Sequence, residues 1–408
     1  MPDRTPIPRD EALPQMSALL DSERMAALLG QSLGRRDPPR VEIPYNRYKP
    51  GQSLAVHYQV VTDGATHHAV SMTSSDHEVA ELARESGHAR RAELVAGRSP
   101  APRPLHWDEE LRTLFQWLPF DVDLPALSEP PNRLHRRLAD AGVALDPESG
   151  EPTMLQYRPR RRAALRLDGH VLKIYRDEKT YRAGVAGLEA AARLGSIRTA
   201  RGEAFVPEWL LTVQEVLPGE ALARRADAAY EAGALLAELH TTNLTGLPVL
   251  LPEHRLKQVA ASVSVVSAVA PALAARAHAL LEELELAAPH LDVDELVPSH
   301  GDFHGGQLLA QGDGYALIDF DLLAVGPPAY DLANYAGHLV PKEAPDLAAA
   351  AAVLDTLVAA YGRRPPFLPW YLTASILRRA RVPFRNFESD WPRGVEVMID
   401  AAEAAFRL

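Results

Sequence analysis

Ser299-His300-Gly301-Asp302-Phe303-His304-Gly305-Gly306-Gln307, followed a hairpin later by Ile318-Asp319-Phe320-Asp321, is the stretch on which the reading of this chain turns. Gln311-Gly312-Asp313-Gly314 has the composition of a hairpin turn between the apolar runs Gln307-Leu308-Leu309 and Tyr315-Ala316-Leu317-Ile318. A loop aspartate and an amide five residues on are thereby set opposite a second aspartate across two short strands. Phosphoryl transfer asks for that set, a base that orients a hydroxyl together with oxygen ligands for a divalent cation. His300 and His304 have the spacing of two zinc ligands on one helix face, but Gly301, Gly305 and Gly306 oppose a helix there. Both rings are expected to brace the loop.

Upstream, Val171-Leu172-Lys173-Ile174-Tyr175 is an apolar strand with one lysine in its middle, either a phosphate-gripping position or a solvent-facing edge. A helix over about Lys179 to Leu194 follows, carrying Glu189. The hairpin before the strand reads Arg-Pro-Arg-Arg-Arg over Arg158 to Arg162 and lacks glycines, so its guanidinium groups either contact phosphate or form a solvated turn. Farther upstream the chain resembles itself. Arg47-Tyr48-Lys49-Pro50 before Leu54-Ala55-Val56 parallels Gln156-Tyr157-Arg158-Pro159 before Ala164-Leu165-Arg166, and Phe115-Gln116-Trp117-Leu118-Pro119 parallels Val213-Gln214-Glu215-Val216-Leu217-Pro218. These phrases suggest a duplicated small α+β unit, too few copies for a solenoid. Ser71 stands in the first copy where Lys173 stands in the second.

The first copy is expected to hold a helix over Glu11 to Leu33, strands at Val41 to Ile43 and Leu54 to Val61, and an Asp76-capped helix reaching about Ala96. From Asp227 the chain reads as helical, with Leu235, Leu236 and Leu239 on one face. The Leu256 to Ala288 stretch is apolar but interrupted by Lys257, Arg276 and Glu282, Glu283 and Glu285, which opposes a membrane span. Length favours more than one domain, and 47% hydrophobic with 24% charged residues among 408 is ordinary globular composition. A formal net charge of −11 argues against general nucleic-acid or anionic-membrane binding. No cysteine excludes disulfides and thiolate chemistry, and the start shows no apolar signal-peptide core, so a cytoplasmic location is expected.

The phrase His300 to Gln307, then Ile318 to Asp321, Gly326-Pro327 and Asp331-Leu332-Ala333, resembles the aminoglycoside phosphotransferase and choline kinase-like family. The resemblance runs from about Leu155 to Gly337 and implies an α+β, protein-kinase-like two-lobe fold. It implies an N-terminal cap over 1–150, a nucleotide-binding lobe with hinge over 151–219, and a mostly helical lobe over 220–408. ATP and Mg²⁺ are the implied cofactors, and a small hydroxylated molecule the implied partner. In the family's pattern Asp302 is the hydroxyl-aligning base, Asp319 a metal ligand, and Asp331 the support that holds the catalytic loop, with His300. Gln307 takes the metal-ligand position where most relatives carry asparagine, a departure that adds a methylene. Lys173 would grip the α- and β-phosphates with Glu189 as its partner, and backbone groups of Glu215 and Leu217 would meet a purine edge. For the acceptor, His304 and the C-terminal Arg378, Arg385, Asp390 and Trp391 form a candidate pocket wall, with helix-surface charge as the plain alternative. An extra N-terminal unit and the glutamine are similar to maltokinase-like relatives, which favours a sugar or amino-sugar acceptor over an aminoglycoside. A nucleotide-binding protein without turnover, and a scaffold docking through its first 150 residues, are the readings of other classes.

Overall fold

The computed structural model describes residues 5–146, 148–222, 228–290, 295–312, 314–343 and 347–408. The chain divides into two compact units. The first comprises Met1–Tyr181, Glu203–Val213 and Pro383–Trp391, the second Arg182–Gly202, Gln214–Val382 and Pro392–Leu408.

In the first unit the expected helix over Glu11 to Leu33 is two helices, α1 (Met16–Leu19) and α2 (Ser22–Ser32). The break falls at Asp21, an extended residue whose carboxylate accepts the N–H groups of Glu23 and Arg24 and so starts α2 afresh. Strands β1 (Arg40–Lys49), β2 (Ser53–Thr62) and β3 (Ala65–Ser74) form an antiparallel meander. The helix expected after Asp76 is likewise split, into α3 (Glu78–Arg84) and α4 (Ser86–Val95), because Glu85 is extended. Then β4 (Leu105–Asp108) and β5 (Thr113–Trp117) complete a sheet of order β1-β2-β3-β5-β4. After α5 (Pro131–Asp140) come β6 (Thr153–Arg158), β7 (Arg162–Leu167) and β8 (His170–Tyr175); α6 (Glu178–Ala191), most of it in the second unit, and the second unit's short β9 (Arg198–Thr199) follow before β10 (Gly202–Val206) and β11 (Leu211–Glu215). Their sheet runs β6-β7-β8-β11-β10, the same order as the first, with a helix inserted at the same point.

The two sheets share one core. Val70, Met72, Leu114, Phe120, Leu134 and Leu138 pack in a single cluster with Leu165, Leu172, Ile174 and Val213. Polar ties cross it. The Tyr157 hydroxyl donates to the fully buried Asp121, whose other oxygen accepts the N–H groups of Asp123 and Leu124 at 2.7 and 3.0 Å. Asp123 in turn takes Arg160 at 2.8 Å and Arg176 at 3.1 Å, and Arg160 also reaches Glu78 at 2.9 Å.

In the second unit β12 (Glu220–Ala221) precedes α7 (Ala229–His240), α8 (Pro252–Val269) and α9 (Ala274–Leu286). Asp227, expected to open α7, and Asp313 of the hairpin turn lie outside the described residues. No described helix is long and apolar enough to cross a membrane. Strand β13 (Val297–Ser299) leads into the histidine-rich loop, and β14 (Leu308–Gln311) pairs with β15 (Gly314–Leu317), Leu308 opposite Leu317. Then β16 (Ala324–Gly326) returns to pair with β13, Ser299 opposite Ala324. These two pairings bring the loop after β13 and the loop after β15 together. Then come α10 (Ala329–Glu343), α11 (Leu347–Tyr361) and α12 (Leu368–Arg379), and, after α13 (Val382–Arg385), most of which belongs to the first unit, α14 (Trp391–Phe406).

Candidate functional site

The loop after β13 owes its shape to Asp331 at the start of α10. Its buried carboxylate accepts the His300 N–H at 2.7 Å and the Gly301 N–H at 3.1 Å. Such charge-assisted bonds are about twice as strong as neutral ones. His240 on α7 adds Nε2 to the same carboxylate at 3.5 Å while its Nδ1 meets the Tyr361 hydroxyl at 3.0 Å. Gly301 has φ +82°, and a Cβ there would lie 2.1 Å from the Leu322 carbonyl oxygen, so only glycine fits. His300 is buried; its Nε2–H donates to the Ile318 carbonyl at 2.9 Å and its Nδ1 accepts the Asp302 N–H at 3.4 Å. One ring thus ties the loop that carries Asp302 to the residue preceding Asp319, the bracing role expected for it.

Asp302, Gln307 and Asp319 meet at the junction of the two loops. The Gln307 amide nitrogen donates to Asp319 Oδ2 at 3.2 Å, which leaves the amide oxygen as a donor to a cation. Asp319 sits at φ +67°, a left-handed conformation that aspartate tolerates better than most residues. Burial pushes the Asp302 carboxyl up, but Arg378 and then the neighbouring imidazoles more than offset this and hold it below the ordinary carboxylate range. It is therefore an anion at neutral pH. Arg378 Nη2 stands 4.0 Å from Asp302 Oδ1.

His304 and His338 stack with ring centroids 4.3 Å apart. With Asp302 they offer three ligand atoms within 4.8 Å of one another, a spacing a metal ion would accept. Their lone pairs are engaged elsewhere. His304 Nδ1 accepts the Gly306 N–H at 3.0 Å; His338 donates Nδ1–H to the Asn334 carbonyl at 2.8 Å and accepts Arg379 Nη1 at 2.6 Å. Burial pushes His304 down to about 4 and His338 well below the usual histidine range, so both are neutral. Asn334 is the other hub. Its Oδ1 accepts from Arg255 at 3.2 Å, Arg378 at 3.2 Å and Ser375 at 3.1 Å, while its Nδ2 donates to the Gly301 carbonyl at 3.4 Å. Arg255, Asn334, His338 and His240 escaped the sequence reading. Asp331, Asn334 and His338, spaced by three and four residues, lie along one face of α10, and that polar stripe in an apolar helix was the available signal.

The remaining candidates scatter. Lys173 lies on β8, the central strand of its sheet, and is only 8% exposed, which removes the edge-strand alternative. Glu189 is exposed on α6. The Glu215 N–H is taken by the Arg201 carbonyl at 3.0 Å, so that amide cannot serve a purine; the nearly buried Leu217 follows it. In the arginine hairpin, Arg158 lies over the Tyr45 ring at 5.6 Å and Arg160 is ion-paired, so neither is a freely solvated charge; Arg161 is exposed. Trp391 cannot be a pocket wall. It is 2% exposed, with its indole N–H on the Pro6 carbonyl at 2.8 Å and its ring against Phe384. Arg385 leans over Tyr45 at 5.9 Å and Asp390 is exposed, and both belong with Trp391 to the first unit, whereas Asp302 belongs to the second.

Residues 171–368 match the model of the phosphotransferase enzyme family, APH. Among solved structures, a choline kinase from Cryptosporidium parvum superposes with TM-score 0.50 at 11% identity, covering 68% of this chain and 96% of that one. A choline/ethanolamine kinase family protein from Mesorhizobium loti gives TM-score 0.48 at 14% identity, covering 67% and 95%. A spectinomycin phosphotransferase in complex with ADP and spectinomycin gives 0.48 at 12%, covering 68% and 98%. A comparison with curated proteins finds no match.

Proposed function

Because residues 171–368 of this chain belong to the phosphotransferase enzyme family, we propose that it is an ATP- and Mg²⁺-dependent kinase that phosphorylates a hydroxyl of a sugar or amino-sugar. The observation that carries the reading is the Asp302 loop, fixed by Asp331, with an anionic carboxylate close enough to feel the charge of Asp319, which Gln307 bonds. Asp302 accepts a hydrogen bond from the acceptor hydroxyl and aligns its oxygen for attack. Asp319 and the Gln307 oxygen are the groups that would hold Mg²⁺, and the donor set of one carboxylate and one amide oxygen fits that hard cation. When bound, the ion supplies charge neutralisation for the phosphates. Lys173 serves the α- and β-phosphates, the role that the family's pattern gives it, and Glu189 is the residue which that pattern pairs with it. Glu215 through its carbonyl and Leu217 through its N–H face the base, and His300 and Asp331 hold the loop. Residues 151–219 form the nucleotide-binding part and 220–408 the acceptor part, and 1–150 is a degenerate copy of the former. In that copy Ser71 is buried and bonded to the Tyr58 hydroxyl at 2.9 Å, so no cation stands there.

An aminoglycoside is the alternative acceptor. Acceptor-dependent ADP release is measured with Mg²⁺ across sugars, amino-sugars and aminoglycosides, alongside Asp302→Asn. Turnover with one class, reduced about 10²- to 10⁴-fold in the variant, is expected. Nucleotide binding with no acceptor-dependent release would leave a pseudokinase.

A further inference from the structure

Behind and beside Asp302 two guanidinium groups, Arg255 and Arg378, are set against that one carboxylate. Arg255 is 1% exposed, its Cζ lies 4.0 Å from the centre of the Tyr330 ring, and among the described residues its hydrogen bonds go to neutral amide oxygens, Gln258 at 3.3 Å and Asn334 at 3.2 Å. Burial pushes its guanidinium down to about 10, so it stays charged at neutral pH. Arg378 donates to the same Asn334 oxygen, and among the described residues its one carboxylate within 4.0 Å is Asp302, too far for a hydrogen bond. Its Nε is buried without a partner in the described structure, yet the side chain is 22% exposed and so opens onto the space beside Asp302. Two guanidinium groups on one neutral oxygen repel each other, and the single carboxylate of Asp302 is set against both. A second anion would balance the pair, and the open side of Arg378 is where one can enter.

We propose that Arg378, with Arg255 behind it, receives an anionic group of the acceptor, so that the substrate is an acidic sugar, a sugar carboxylate or a sugar phosphate, and not a neutral or cationic one. This rests on Asp302 being the hydroxyl-aligning base, and it narrows the acceptor class given above. The acid and the reacting hydroxyl then lie on neighbouring parts of one small molecule, the first on Arg378 and the second on Asp302. A polycationic aminoglycoside would bring its ammonium groups against the same guanidinium and be rejected.

The test measures acceptor-dependent ADP release by the full chain with uronic acids, aldonic acids and hexose monophosphates beside the neutral parent sugars, hexosamines and aminoglycosides. An acidic acceptor is expected to exceed its neutral parent in kcat/KM by at least ~10-fold, and Arg378→Gln is expected to raise its KM about 10- to 100-fold. The KM for ATP should stay unchanged in that variant, and Arg378→Lys should recover part of the acceptor affinity. A neutral or cationic acceptor preferred over its acidic counterpart overturns the inference while leaving the kinase reading intact. So does a variant that loses kcat with an unaltered acceptor KM, since Arg378 would then serve the transferring phosphoryl group. ADP release with no acceptor of any charge overturns both.

Discussion

At Gln307 a single methylene decides how the two halves of the junction meet. The longer side chain reaches Asp319 through its nitrogen and keeps its oxygen turned away from that carboxylate. Gln307→Glu would place a second carboxylate about where that amide now donates. Like charges near 4 Å repel by about 1–4 kcal/mol across the range from bulk water to a protein surface. Thermal unfolding of this variant is therefore expected to occur several degrees below that of the parent in a chelator. Mg²⁺ with a non-hydrolysable ATP analogue should restore more of that loss than it adds to the parent. Equal recovery in both proteins would mean that the side chain at 307 does not face the cation. Asp302 and Asp319 were legible in the sequence because their chemistry depends on short spacings within one loop-hairpin segment. Arg255, Asn334 and His338 were not, because their meaning arises only when α8, α10 and α12 pack, and a lone polar residue on an apolar helix face carries no sign of its partner.

The catalytic-loop region depends on a close crossing of two backbones. Gly301→Ala must both adopt φ +82° and accommodate the Leu322 carbonyl, so the loop has to move. Loss of activity comparable to Asp302→Asn is expected, with a clear drop in melting temperature. An active, equally stable G301A protein would refute the crossing as drawn. In the β2–β3 hairpin of the other unit, burial with the neighbouring His68 pushes His57 down to about 3, and its Nε2 meets His68 Nδ1 at 2.9 Å. The unfolded chain titrates near 6.5. The folded state therefore binds fewer protons, so this contribution to stability is complete above pH 6.5 and is lost as pH falls from there toward 3. Melting temperature should decline over that window, and His57→Gln should flatten the decline. Helix starts were legible less well than strands: Asp21 and Glu85 break helices that periodicity alone joins, because apolar spacing continues across a residue whose backbone is extended.

For the molecule as a whole, the decisive fact is that residues before and after 150 share one core. Phe120, Leu124, Leu134 and Leu138 lie in the same cluster as Leu165, Leu172 and Ile174. Each such side chain is worth about 1.5–3 kcal/mol when fully buried. A protein of residues 151–408 is expected to be insoluble or to unfold far below the parent, which opposes a detachable docking scaffold. A truncated protein with an unchanged, cooperative melt would reverse that conclusion. The matching strand order of the two sheets was foreshadowed by the repeated phrases, whereas their fusion into one core was not, since repeats reveal likeness and say nothing of contact. That fusion bears on how the chain can drift. The first sheet has no cation at Ser71 to preserve, yet its inward residues remain answerable to the second sheet. The opposite face is buried too, with Val56, Tyr58, Phe115 and Trp117 at most 2% exposed and the Tyr58 hydroxyl donating to the Leu19 carbonyl of α1, so across related sequences it should vary only with the helices ahead of β1. Val70, Met72 and Leu114 should change only together with Leu165, Leu172 or Ile174.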